Sequence, residues 1–487
     1  MHIKAIVLNS VLRDARVLKQ ADSLVQAGHE VTIIGVQDTD TTEKTHLLPS
    51  GVRIELTPPV DRRQVRRRLL YTLVAAVLAV CVVLLTLAGA TVDPVLLGVP
   101  FAWLPATTLT ILVLAAATLL TAWQLQRRAR KARQSMSIVL ALKQLFMALF
   151  SPVLNRLYAE AVYSRVAPIV VRSPTDVIHC HDLLPLPIAA KLKRKTHAML
   201  VWDAHEIYEE MAQKRPDYAK FCRRLLTQYQ HTVDRFITIN DSIAEFYREN
   251  YPALPPALIV KNAALHTPHM AYDGRLHHAA GLPRNQKIAL YQGGFADKRG
   301  LHALVDAAAY LDPDWTLVMM GWGPLETALK ARSKGLHTMA PRSLPAVVFL
   351  PGVKQNELVC WTGGGAVGLI PYENTGLNHL YCTPNKLWEY PAAGVPVLCS
   401  PLVEMTRMVR GHGIGWLLPE SADPPAIAAV INKLKPDMLG TAVEACRRFI
   451  ETDNWGTYGA RVVEMYDSLS NPHPVVPASR LSETDTP

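Results

Sequence analysis

Apolar residues follow two rhythms along this chain. Short runs of strand length alternate with stretches whose apolar positions recur at helical spacing. The first run is HIKAIVLNS. RDARVLKQADSLVQAG follows, with Ala15, Leu18, Ala21, Leu24 and Val25 near one face and Gly28 at its end, and then HEVTIIGV. Further strands are predicted at DVIHC, AMLVWD, RFITI and ALIVKN, and a largely apolar helical stretch from Gln134 to about Val166 precedes them. A second half repeats the pattern in KIALYQGG, WTLVMMG, VVFLPGV, AVGLIPY, VPVLCS and GIGWLLP, with helices from Leu301, from Pro324 and near Asn385–Tyr390. Unbroken apolar strands joined by helical crossovers predict parallel sheets covered on both faces. The pattern therefore predicts an α/β chain of two Rossmann-like, doubly wound domains. The first occupies 1–60 and 134–265. The second occupies 266–470, linked through 266–285, and its last helix is a candidate to pack back on the first. Residues 471–487, rich in Pro and Ser, read as a disordered tail.

The segment between the two parts of the first domain breaks the rhythm. Leu69 to Val92 is 24 residues without a charge, and Pro94 to Gln126 is 33 more. A 24-residue helix is about 36 Å long, enough for a hydrocarbon core of about 30 Å. Pro100 and Pro105 place the start of the second helix near Pro105, so spans are expected at about 69–92 and 105–126, with Tyr71, Trp103 and Trp123 near their ends. The reading is a two-helix transmembrane hairpin, 61–133, inserted between elements of the first sheet.

Charge sharpens this picture. The chain has 487 residues and a formal charge of +10, a balance that would ordinarily raise nucleic-acid binding. Yet residues 61–133 hold ten bases (Arg62, Arg63, Arg66, Arg67, Arg68, Arg127, Arg128, Arg130, Lys131, Arg133) against two acids, Asp61 and Asp93. That is a local +8, and the remaining chain carries only +2. The surplus brackets the hairpin and is no nucleic-acid footprint. By the positive-inside rule it places both chain ends and the soluble domains on the cytoplasmic side of a cytoplasmic membrane. The seven cysteines form no Cys-x-x-Cys pair and no zinc spacing, as expected of free thiols in a reducing compartment.

In open α/β sheets ligands bind outside the carboxyl ends of the strands, so polar residues just after each strand are the candidates. In the first half these are Asn9, Ser10, Arg13 and Asp14; His179, His181 and Asp182; Asp203, His205 and Glu206; and Asn240, Asp241 and Ser242. In the second they are Gly293, Gly294, Lys298 and Arg299; Gly321 and Gly323; Glu373; and Asn385, Lys386 and Glu389. No metal site is expected: the His179/His181 pair has no third ligand at recognisable spacing, and Asp38-Thr-Asp40 and Asp312-Pro-Asp314 read as turns. GWGPLE is half of a dinucleotide fingerprint, without its third glycine. YCTPNKLWEYPAAGVPVLCS is the most informative stretch: Pro384 opens a short helix with Asn385 and Lys386 at its N-terminus, a place for a diphosphate, and Glu389 one turn on, placed for ribose hydroxyls.

Taken in order, RDARVLKQADSLVQAGHEVTIIG, DVIHCHDLLPLPIAA, VWDAHEIYEE, RFITINDSIAEFY, YQGGFADKRGLHALVDAA, GWGPLE and PNKLWEYPAAGVPVLCS resemble a family-4-type retaining glycosyltransferase of the GT-B architecture. The resemblance implies a nucleotide-diphosphate sugar as co-substrate, bound mainly by the second domain, with no other cofactor. It implies an acceptor on the first domain, on the side of Arg13, Asp14, Asp182, His205 and Glu206. His181 matches the family histidine near the donor sugar. Arg299 with Lys298, and Lys386, would face the diphosphate, so that no divalent metal is required. Glu389 matches the second glutamate of an E-x7-E pattern whose first falls on Tyr381, leaving Glu373, Asn378 or His379 as substitutes. With the hairpin, the function implied is transfer of a sugar to a lipid-linked or membrane-proximal acceptor in polysaccharide or glycolipid synthesis. A GT-B-fold sugar-nucleotide epimerase and a catalytically degenerate membrane scaffold are the alternatives.

Overall fold

Strands that read as unbroken apolar runs are covered on both faces in the computed structural model, which describes residues 1–12, 14–38, 43–91, 136–211, 216–266, 271–421 and 423–470. The first sheet has eight strands: β1 (His2–Ile6), β2 (Glu30–Val36), β3 (Thr45–Leu47), β4 (Arg53–Thr57), β5 (Val177–His181), β6 (Met199–Ala204), β7 (Arg235–Thr238) and β8 (Ala257–Ile259). Their order is β3-β4-β2-β1-β5-β6-β7-β8, parallel throughout except for the antiparallel edge pair β3–β4. The second sheet has six parallel strands, β9 (Lys287–Gly294), β10 (Trp315–Trp322), β11 (Val347–Leu350), β12 (Val367–Ile370), β13 (Val397–Cys399) and β14 (Gly415–Leu417), ordered β11-β10-β9-β12-β13-β14. Both orders reverse direction next to the first strand of their sheet. That switch opens a crevice at the carboxyl edge.

Strands β3 and β4 were not expected from the pattern. The signal for β4 is an alternation, with Val52, Ile54 and Leu56 buried between partly or fully exposed Arg53 and Glu55. An alternating half-buried strand of this kind is easily passed over beside fully apolar neighbours.

Local capping follows the sequence. Asp14 caps the helix Ala15–Gln26 by accepting from the Val17 amide, and Asn9 steadies that carboxylate at 2.8 Å. The last helix, Trp455–Ser470, lies against this first helix: the Trp455 indole N–H donates to Ser23 Oγ at 3.0 Å, and Tyr466 meets His179 Nδ1 at 2.9 Å.

Two compact units divide the chain, Met1–Thr57 with Val170–Pro487, which holds both sheets, and Pro58–Ile169. The second unit runs past the expected hairpin boundary at 133 and takes in most of the helix Met136–Val171. Its other helix, Arg62–Thr91, starts within the first basic cluster; Arg62 stacks over the Tyr158 ring at 4.5 Å. Among the described residues, no helix is long and apolar enough to cross a membrane. The expected second span, 105–126, lies outside the described residues, as do many side chains of the expected first span and the whole expected tail, 471–487.

Candidate functional site

The carboxyl edge of the second sheet carries a cleft of about 350 Å³. Its floor is the end of β9, where Gly293 takes φ +117° and a Cβ on Gly321 would stand 1.9 Å from the Gly293 carbonyl oxygen. The backbones of β9 and β10 approach too closely there for any side chain at Gly321. One wall is the helix Lys386–Ala392, seated by buried aromatics: the Trp388 indole donates to Asp453 at 2.8 Å, and the Tyr390 hydroxyl donates to the Leu290 carbonyl and accepts from the Gln292 amide. With those two rings fixed, Lys386 and Glu389 are aimed into the cleft.

Lys386 is 7% exposed and sits between aromatic faces, 5.2 Å from the Tyr291 ring centroid and 5.4 Å from that of Tyr372, with its Nζ 3.2 Å from the Tyr372 hydroxyl. Arg299 donates to the same hydroxyl and lies over the same ring at 4.9 Å. Burial pulls the Lys386 ammonium below its usual pKa, while Tyr291 opposes the shift and Arg299 adds to it. Burial also pushes Tyr372 up to about 12, against the pull of Arg299. Among the described residues neither Lys386 nor Arg299 has an ion-pair partner. Glu389 accepts from Gln292 Nε2 at 3.2 Å, and Gln292 in turn accepts from Thr362 at 2.7 Å. The cleft thus offers two unpaired cations, then a carboxylate held by an amide.

The carboxyl edge of the first sheet is a buried polar network. Arg16 donates twice to Asp203, at 2.9 and 2.7 Å, and also to the Val260 carbonyl and Asn262 Oδ1. Gln20 and His205 approach the same carboxylate at 2.6 and 3.1 Å, and His181 at 3.4 Å. Burial alone would raise the Asp203 pKa, but Arg16 and the histidines hold it well below the carboxylate range. His205 is pulled down by burial and, more strongly, raised by Asp203, with Asp182 adding to the rise. Ligand atoms of His179, His181 and Asp203 lie within 4.8 Å of one another. Both Asp203 oxygens already accept from a guanidinium, however, and that positive charge opposes a cation in the same place.

The expected site residues divide clearly. Gly293, Arg299, Asn385, Lys386 and Glu389 line one cleft. Gly294, Lys298 and Glu373 lie beside it, exposed, with the Glu373 amide donating to the Lys298 carbonyl at 3.1 Å. Asp14 is a helix cap, and Arg13 lies outside the described residues. Asp182 takes a left-handed φ of 68° and accepts from the Tyr208 hydroxyl at 2.9 Å. His181, expected to face substrate, is 1% exposed; it stacks on His179 at 4.2 Å and faces Asp203. Of the three substitutes for the missing glutamate, Asn378 is engaged with the Ile207 backbone at 2.7 and 2.9 Å, and Glu373 is exposed. His379 is lowered by burial and by Lys298 and Arg299, and its Nδ1 lies 2.9 Å from Thr375 Oγ1. Tyr381 gives its carbonyl to Asn240 at 2.7 Å. Through these bonds the loops after β6 and β12 meet. Gln292, Tyr372 and Trp322 were not foreseen: Gln292 and Trp322 are parts of strands, and nothing local in AVGLIPY marks Tyr372.

Glu206 lies in this junction, partly exposed. Burial raises its pKa to about 7; His205 opposes the rise and Asp182 adds to it. A folded value above the unfolded one means that the stabilising proton is fully held below about pH 4.5 and lost as pH rises through 7. Glu206→Gln is therefore expected to leave thermal stability unchanged at pH 4 and to raise it at pH 8, by about 1–2 kcal/mol after allowance for solvent access. Melting curves at the two pH values check this.

Two α/β sheets, joined at their carboxyl edges through Asn378–Ile207 and Tyr381–Asn240, with a cationic cleft on the second, fit a GT-B fold. Comparison with known proteins agrees. Residues 286–437 match the family "Glycosyl transferases group 1". A putative colanic acid biosynthesis glycosyltransferase of Escherichia coli is 27% identical over 164 residues, 32% of this chain and 39% of that one. A phosphatidyl-myo-inositol mannosyltransferase of Mycobacterium leprae is 24% identical over 334 residues, 64% and 79%. Among solved structures, a sucrose-phosphate synthase from Thermosynechococcus elongatus superposes with a TM-score of 0.63 at 14% identity, over 97% of this chain and 100% of that one. Anabaena HepE, in complex with UDP-glucose, gives 0.58 at 12% identity, over 96% and 100%. The alignment spans well under half of the Escherichia coli relative and over three quarters of the Mycobacterium one. Together the matches mark this chain as a glycosyltransferase enzyme.

Proposed function

We propose that this protein is a membrane-bound retaining glycosyltransferase that moves a sugar from a nucleotide-diphosphate donor to a lipid-linked or membrane-proximal acceptor, in polysaccharide or glycolipid synthesis. The observation that carries the reading is the pair Lys386 and Arg299: two cations, one almost fully buried, converging with no ion-paired carboxylate among the described residues. Such a pair is stable only while solvent or an anion compensates it, and a diphosphate supplies that charge. As the bond from sugar to diphosphate lengthens, the developing negative charge falls on these fixed donors, which is how a preorganised site lowers the barrier. Glu389, held by Gln292, accepts from the ribose hydroxyls. Glu206 and His205 line the acceptor side. His181, covered as it is, positions Asp203 and His205 and is not a direct ligand. The names of two relatives, a colanic acid biosynthesis glycosyltransferase and a phosphatidyl-myo-inositol mannosyltransferase, support this choice of acceptor class.

Membrane attachment rests on the sequence of the inserted unit: two charge-free stretches of 24 and 33 residues between basic clusters. The flanks place the catalytic sheets on the cytoplasmic side. Carbonate-washed membranes are expected to retain the full chain; its release into the wash would remove the membrane part of the reading and leave the donor site untouched.

A screen of nucleotide sugars for thermal stabilisation tests the donor reading. At a concentration 100 times Kd, a ligand adds about 2.7 kcal/mol of apparent stability. Glu389→Ala is expected to weaken the best ligand about 10- to 100-fold, the loss of a charge-assisted hydrogen bond in a partly desolvated site. No shift with any nucleotide sugar, or one unaffected by Glu389→Ala, would contradict the assignment.

A further inference from the structure

The motif GWGPLE leaves one residue that the donor reading does not use. Trp322, at the end of β10, is 65% exposed, an unusual place for so large an apolar side chain, and it lines the cleft. Its position is built, because a Cβ on Gly352 would stand 2.1 Å from both Cε3 and Cζ3 of the indole. The six-membered edge of the ring therefore lies directly on the bare Gly352 backbone, in the loop after β11. Val353 and Leu358 line the cleft beside it.

Strand order gives the cleft a direction. Along the carboxyl edge the sequence is β11-β10-β9-β12. Gly352 and Val353 follow β11, Trp322 ends β10, Gln292 and Gly293 end β9, and Tyr372 follows β12, with Arg299 and Lys386 gathered around it. The cations thus gather toward β12, Gln292 and the Glu389 it holds lie at β9, and an aromatic face with apolar neighbours lies at β10, about two strand spacings from β12. That is the polarity of a nucleoside diphosphate: charged, then hydroxylated, then flat and aromatic.

We propose that Trp322, held by its ring edge against Gly352 with its face left open, is the stacking platform for the base of the donor nucleotide. This rests on the donor reading above and adds a residue to it. Stacking on an aromatic face is tolerant of base identity, because every base has a π-face. Trp322 accordingly supplies affinity for the base without choosing between purine and pyrimidine.

The test is calorimetric titration of the full-length protein with GDP, UDP, ADP and, in parallel, inorganic pyrophosphate. Trp322→Ala is expected to weaken whichever nucleoside diphosphate the wild type binds by about 5- to 150-fold and to leave pyrophosphate affinity unchanged. Trp322→Phe should recover most of the loss, and Gly352→Ala, which displaces the indole, should reproduce part of it. Nucleoside diphosphate affinity equal to wild type in Trp322→Ala would overturn the proposal while leaving the donor site standing, and so would an equal loss of pyrophosphate affinity. A wild type that binds pyrophosphate but no nucleoside diphosphate would overturn the donor reading itself, and this proposal with it.

Discussion

Replacing Lys386 by Met is expected to lower sugar transfer by about 10²- to 10³-fold and, in the same protein, to raise the melting temperature of the ligand-free state. The first effect follows from removing a fixed cation at the place where leaving-group charge develops. The second follows from the buried ammonium, which has a hydroxyl and two aromatic faces for company and, among the described residues, no ion-paired carboxylate, only the more distant pull of Glu389. Its pKa lies below the usual lysine value because burial disfavours the charged form. The sign can be worked through: the unfolded chain holds this proton more tightly than the folded one, so wild-type stability climbs as pH rises toward 10.5. The Met variant lacks that climb. About 1 kcal/mol of relief at neutral pH corresponds to roughly 2–4 °C in a domain of about 200 residues. Transfer assays and melting curves on one preparation separate this account from simple misfolding, which would lower both quantities together.

Asp203→Asn is expected to be the most destabilising single change in the first domain. Arg16 is 7% exposed and Asp203 fully buried, and their two-pronged contact ties the helix after β1 to the end of β6. The remaining Arg16 nitrogen reaches the Val260 carbonyl just beyond β8. Neutralising the carboxylate strands a buried guanidinium, at a cost of about 3–5 kcal/mol. The double variant Arg16→Met, Asp203→Asn should recover much of that loss, because no uncompensated charge remains. The depressed Asp203 pKa contributes stability above the unfolded value, and this is lost as pH falls through the folded one. Wild-type resistance to denaturant should therefore drop in strong acid, and the double variant should show a shallower drop. Urea titrations from pH 7 down to pH 2 measure both effects.

Much of the architecture was legible because the strands of both sheets, β3 and β4 apart, are largely continuous apolar runs and their crossovers keep helical spacing. The cleft on the second sheet was legible for a related reason. Lys386 and Glu389 sit three residues apart on one short helix, and Arg299 follows the glycines of β9, so local spacing alone places them at one edge. Arg16 and Asp203 are 187 positions apart and meet only because β1, β5 and β6 are neighbours. No window of sequence holds both. His181 reads from sequence as a residue at a strand end facing substrate; its burial depends on His179, Asp203 and the returning last helix, all distant in the chain. Trp322 was visible in GWGPLE, but its meaning depends on Gly352, thirty residues further on, which no periodicity links to it.

The most direct measurement is the fate of the donor. Full-length protein in detergent, with a panel of nucleotide sugars labelled in the sugar and a total polar-lipid extract as acceptor source, should consume one donor. It should release the nucleoside diphosphate in equal amount and place the label in the lipid or polysaccharide fraction with its anomeric configuration retained; Lys386→Met should do none of this at a comparable rate. Conversion of the sugar nucleotide into an isomer without acceptor, or nucleotide binding with no turnover across the panel, would contradict the account.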